Sequence, residues 1–236
     1  MLDSARCFLF FLAAGVFLQI PMGTPAYSQS FLMGSAGRVD ASSINRVLAA
    51  GDVPTLPEAY LSYGGGGQMR LGRVVIGGAG HRLRGFTNAG ATSSTTLTGG
   101  TYGVLHVGYV VARGGRWRIY PTTSLGGGRL TMEIAQGIGP DADAALREPA
   151  QRTRFEGRSF LIGLGVAGEL DIPGILAVVK VEAGYMTAPV DHPLTADGVH
   201  LQGAPDLTAR GPYIRIGIGG GVGALIVGEI IGALFS

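Results

Sequence analysis

Large apolar residues recur at every second position along much of the chain from Tyr60 onward, in runs broken by glycine-rich turn signals. That is the period of half-buried β-strands. In 158–171 one face carries Phe160, Ile162, Leu164 and Val166, and the other Gly163, Gly165, Ala167 and Glu169. In 174–188, Ile175, Ala177, Val179, Val181, Ala183 and Tyr185 oppose Lys180, Glu182 and Gly184. In 210–219, Ile214, Ile216 and Ile218 oppose Arg215, Gly217 and Gly219, and around 102–111 Leu105, Val107, Tyr109 and Val111 oppose His106 and Gly108. The spacing predicts strands near 60–70, 73–85, 97–112, 116–132, 155–171, 175–188 and 210–219. An eighth, near 222–234, reads equally as an apolar helix with Gly228 and Gly232 at helix-packing spacing.

One face of each strand is thus large and apolar, and the other is glycine with an occasional charge. Glycine weakens a strand and is used where another backbone or a crowded interior comes close. An eight-stranded barrel has an interior only just wide enough for side chains. The prediction is therefore an all-β fold, an antiparallel up-and-down barrel of about eight strands. Its glycine-plus-charge faces would line the lumen and its apolar faces would meet lipid. A buried charge needs a partner, and His106, Glu169, Lys180, Glu182 and Arg215 supply both signs, so they form the candidate lumen polar network. Tyr60, Tyr63, Phe86, Trp117, Tyr120, Phe155 and Tyr213, near predicted strand ends, are candidates for interfacial aromatic girdles.

Before the first predicted strand, Asp40-Ala41-Ser42-Ser43 followed by Ile44, Val47 and Leu48 predicts a capped short helix ending at Gly51, either a plug or a packed cap. The predicted connections alternate between tight turns (Leu71-Gly72, Arg113–Arg116, Ile172-Pro173-Gly174 and the glycines at 219–221) and long stretches at 86–96, 133–153 and 189–209. With eight strands counted from Tyr60, the long stretches fall on the same side as both chain ends. In bacterial membrane barrels the ends usually lie with the short turns.

Composition narrows the picture further. The chain of 236 residues fits one domain, and its formal net charge of +2 gives no field for nucleic acid. Its 42 glycines and 12 prolines follow no G-X-Y period, which excludes collagen. Arg6, the apolar run Cys7–Ile20 and the small residues at Ala26-Tyr27-Ser28 read as a signal peptide over 1–28. The expected organisation is that signal, a lead-in with the helix at 29–59, and a barrel domain at 60–236. The single cysteine, Cys7, falls in the signal, so the mature chain would have no disulfide, thiolate metal site or cysteine nucleophile.

Chemistry-bearing motifs are few. Gly163-Leu164-Gly165-Val166-Ala167-Gly168 matches a dinucleotide fingerprint, but a strand end and turn follow it where a helix is required. Gly219–Gly221 with Gly223-Ala224 has too little chain after it for a returning strand. His192 and His200 with Asp191 and Asp197 share a loop without metal-ligand spacing, and a solvated surface is the reading adopted. No triad assembles around His106. Arg113, Arg116 and Arg118 around Trp117 read as a solvated hairpin tip, with a lipid-headgroup contact as the alternative. No cofactor and no nucleotide is expected.

Leu56-Pro57-Glu58 with Tyr63-Gly64-Gly65-Gly66-Gly67, and Val75-Ile76-Gly77-Gly78-Ala79-Gly80-His81, resemble the first hairpin of a group of uncharacterised bacterial outer-membrane-type β-barrel proteins. Tyr102-Gly103 through Val107-Gly108-Tyr109, Tyr120-Pro121 with Gly126-Gly127-Gly128, and Gly211-Pro212-Tyr213 with Gly217-Ile218-Gly219 extend the resemblance over roughly residues 40–221. It implies a barrel, export to the outer membrane, a lipid bilayer as partner and passage through the barrel-insertion machinery. It supplies no catalytic residue. Such barrels typically end on an aromatic residue, whereas here Phe235 precedes Ser236. The expected function is a structural or interaction role in the outer membrane without catalysis. The alternative is a soluble periplasmic barrel with its apolar faces inward around a lipid-like ligand.

Overall fold

The computed structural model describes residues 26–90, 93–137, 151–174, 177–191, 194–201 and 207–220. Eight antiparallel strands close into a barrel: β1 (Ala26–Arg38), β2 (Ala59–Leu71), β3 (Val74–Leu83), β5 (Ser93–Tyr109), β7 (Trp117–Gln136), β8 (Gln151–Ile172), β9 (Ala177–Asp191) and β12 (Gly211–Gly220). Each pairs with the next, and β12 returns to β1 along Ser30↔Gly220 through Gly37↔Tyr213. The short strands β4 (Phe86–Ala89), β6 (Ala112–Arg113), β10 (Thr195–Ala196) and β11 (Val199–His200) decorate the connections. The one helix among the described residues is α1 (Ser42–Ala50).

Seven of the strands fall where the alternation places them, and the eighth does not. The barrel begins at Ala26, inside the expected signal and lead-in, and 222–234 lies outside the described residues, as does the expected signal segment up to Pro25. The sequence of β1 hides its period, because its lumen face mixes Gln29, Phe31, Met33 and Ser35 while its outer face holds small residues such as Gly34 and Ala36. Counting from Ala26 also removes the conflict over loop phase. The strand ends that flank 39–58, 84–92, 137–150 and 192–210 lie at one end. The short turns and the Ala26 and Gly220 ends lie at the other. The β2–β3 turn is only Gly72-Arg73, with Gly72 at φ +61°, where a side chain would be strained.

The apolar faces point outward. Leu164 is 62% exposed and Ile218 60%, whereas Glu169, Lys180 and Arg215 are buried inside. On β8 the outward series runs from Phe160 through Ile162, Leu164 and Val166 to Leu170, ten residue steps. At a rise of about 3.3 Å and a tilt of about 40°, that spans roughly 25 Å. Tyr63 and Phe160 lie toward the loop end of this belt, and Tyr109 and Trp117 toward the turn end; all are exposed. Tyr63 and Trp117 were expected there. Tyr60, Tyr120 and Tyr213 were too, but their parity puts them on the lumen face, where all three are buried. Phe86 and Phe155 pack partly buried against the core instead.

At the loop end α1 packs its buried residues onto the core. The expected N-terminal cap is not formed: the residue at that position is Ala41, which has no polar side chain, and Asp40 Oδ1 accepts instead from the Ser42 hydroxyl at 2.8 Å, while Gly51 N donates to Val47 O at 3.2 Å at the other end. Ile44 and Leu48, one turn apart, are buried with Leu83, Leu97, Leu130, Met132, Leu194 and Leu207, whereas Val47, expected on the same face, is 62% exposed. Asn45 locks the segment that returns to β2, since its Oδ1 accepts from Leu56 N at 2.7 Å and its Nδ2 donates to Leu56 O at 3.1 Å. Truncating Leu48→Ala should therefore lower unfolding stability by about 2–5 kcal/mol, and Val47→Ala by less than about 0.5 kcal/mol. Urea unfolding of the folded barrel in micelles measures both.

Candidate functional site: the charged lumen

The five residues expected in the lumen are all inside it, each 3–4% exposed. Strand register explains how the charges meet. Arg118 on β7 pairs across the sheet with Glu169 on β8, and Glu169 with Lys180 on β9. Two residues along β9, Glu182 lies opposite Arg215 on β12. Because lumen-facing residues at matched register positions are immediate neighbours, alternating signs along these rows place opposite charges side by side.

Two carboxylates organise the network. Glu169 accepts from Arg118 Nε and the Tyr120 hydroxyl, and from Gln68 Nε2 at 2.5 Å. Gln68 Nε2 also donates to Gln29 Oε1 at 2.8 Å, while Gln68 Oε1 accepts from Lys180 Nζ at 2.9 Å. Gln68 therefore bridges Glu169 and Lys180 with both ends of its amide. Glu182 Oε1 accepts from the Tyr213 hydroxyl at 2.7 Å and from Arg215 Nη1 at 3.2 Å, and Lys180 Nζ lies 3.8 Å from Oε2. The Arg215 guanidinium also sits over the Tyr213 ring, 4.2 Å from its centroid. Toward the turn end, Arg118 grips Asp171 with both terminal nitrogens, at 2.5 and 3.0 Å. Toward the loop end, Tyr102 stacks on His81 at 4.8 Å, and Ser35 and Ser62 share a 2.5 Å hydrogen bond.

Glycine makes this filling possible. A Cβ at Gly108 would come within 2.6 Å of the Tyr120 ring, and one at Gly184 within 2.8 Å of the Tyr213 hydroxyl. Among the described residues the fifth expected residue, His106, joins no ion pair, and its Nε2 has no hydrogen-bond partner. Arg118 was expected at a solvated tip but is 7% exposed. Its parity with Tyr120, Thr122 and Ser124, all buried, is the signal that places it in the lumen. Gln29, Gln68, Tyr102 and His81 were not singled out, because uncharged polar residues on a glycine-rich face leave no mark in the alternation.

The remaining motifs bring no further chemistry to this site. Gly163–Gly168 lies within β8, so no helix N-terminus faces a pyrophosphate. His200 is exposed on β11, while His192 lies outside the described residues. No group of three metal-binding side chains gathers among the described residues.

No protein-family model matches the chain, and no curated protein does. Among solved structures it is similar to two crystal structures of Ail, the attachment invasion locus protein of Yersinia pestis. One has a TM-score of 0.45 and 13% identity, covering 82% of this chain and 97% of Ail. The other, in complex with the heparin analogue sucrose octasulfate, has a TM-score of 0.44 with the same identity and coverage. The barrel described above rests on its own strand pairing.

Removing one member of a buried pair strands its partner. Glu182→Leu should cost about 3–5 kcal/mol, and the double change Glu182→Leu with Arg215→Leu should cost less than that single change. A double-mutant cycle from urea unfolding reads the difference, and simple additivity would count against the pairing.

Proposed function

We propose that this protein is a non-catalytic outer-membrane barrel with a structural or interaction role, presenting its long connections on the outer face of the membrane. The observation that carries this reading is the outward apolar belt, about 25 Å tall and bordered by aromatic residues, which matches the hydrocarbon band of a membrane barrel. Above it on the loop side stand the outward-facing Arg82, Arg129 and Arg158, the last two on either side of Glu156 at 3.1 and 3.0 Å. A lumen occupied by paired charges and by the apolar core that takes in Ile44 and Leu48 supports anchorage rather than conduction. The soluble reading, with a lipid-like ligand inside, requires apolar faces turned to the lumen, and these are turned away from it.

The native protein should stay with membranes through a carbonate wash and shift its mobility on a denaturing gel upon heating. Release into the soluble fraction would overturn the reading. Leu164→Arg, in mid-belt, should destabilise the protein in bilayers by about 2–4 kcal/mol. Planar bilayers holding the reconstituted barrel should show no steady conductance.

A further inference from the structure

A cleft of about 430 Å³ opens at the turn end of the barrel, lined by Arg70, Val110, Arg113, Trp117, Arg118 and Asp171 together with turn glycines. Arg118 is already shared by two carboxylates, Asp171 in the cleft and Glu169 beneath it. The other two guanidiniums are not. Arg70, half-buried at the end of β2, lies over the Tyr27 ring at 5.5 Å and forms no ion pair among the described residues. Arg113, exposed, has no anionic partner among them either. Arg73 and Arg116 occupy the two bordering turns. Three arginines thus line the cleft with one carboxylate, a local excess of two positive charges, as many as the whole chain carries.

We propose that this cleft binds a phosphate group, carried by an anionic phospholipid of the adjoining leaflet or free in solution. Guanidinium forks match the oxygens of a phosphate and hydrogen-bond them with charge assistance, so Arg70 and Arg113 are the binding residues. Asp171 stays occupied by Arg118, which limits its repulsion of an incoming anion. Trp117 forms the apolar wall, its ring lying against Gly114, and an amphipathic indole at the edge of the apolar belt sits at headgroup depth. The lipid source rests on the membrane reading above; the affinity for phosphate does not.

Trp117 is the sole tryptophan, so its emission reports on the cleft directly. In zwitterionic micelles, inorganic phosphate and glycerol phosphate should change that emission saturably, and acetate at equal ionic strength should not. In phosphatidylcholine vesicles, added phosphatidylglycerol should do the same. Arg113→Gln, checked for folding by its heat-shifted gel mobility, should weaken the response about tenfold, as loss of one charge-assisted contact implies. Arg70→Gln is the second variant. Saturation by soluble phosphate assigns a free anion, and a response to phosphatidylglycerol alone assigns the headgroup. Flat emission with every phosphate probe, or unchanged midpoints in the variants, overturns the proposal. Flat emission in protein that floats with vesicles rejects the cleft alone, whereas protein that fails to float rejects the membrane reading.

Discussion

The structure depends on having every charge that enters the narrow lumen meet its opposite at the same height. An eight-stranded barrel leaves room for side chains and little else, and an unpaired ion there carries a desolvation cost of several kcal/mol. The cross-strand rows Arg118–Glu169–Lys180 and Glu182–Arg215 satisfy that condition through register alone. Register in turn is fixed by the outward apolar series, since a slip of one residue would turn Lys180 to the outside and Val181 inward. The belt and the lumen therefore enforce one another.

Bulk is settled in the same way. Tyr120 and Tyr213 lie along the inner wall to reach the two organising carboxylates on adjacent strands, which requires glycines on neighbouring strands, Gly108 for one and Gly165 with Gly184 for the other. A glycine count alone reveals nothing of this. Large rings and absent side chains on the same lumen face are two halves of one packing solution.

Period-two alternation made seven strands and the lumen position of His106, Glu169, Lys180, Glu182 and Arg215 legible in the sequence. It failed where a face lacks contrast. Strand β1 pairs small residues outside with a mixed lumen face, so it passed for part of the lead-in, and its loss reversed the apparent loop phase. For Arg118 and Tyr120, proximity to a turn points to the surface, whereas parity with Thr122 and Ser124 points to the lumen, and parity decides. The Gln68 amide bridge depends on β2 approaching β7, β8 and β9 across the lumen, a contact no local pattern encodes.

The distribution of ionic groups around the ring is uneven. Arg118, Glu169, Asp171, Lys180, Glu182 and Arg215 all belong to four successive strands, β7, β8, β9 and β12. From the other half of the wall the Gln68 amide, backed by Gln29, hydrogen-bonds these rows and brings them no charge. The C-terminal half of the sheet is thus electrically self-sufficient, three cations against three anions, before β1 seals the seam with β12. Closure of the ring then brings together neutral surfaces, with no stranded charge to hold the edges apart.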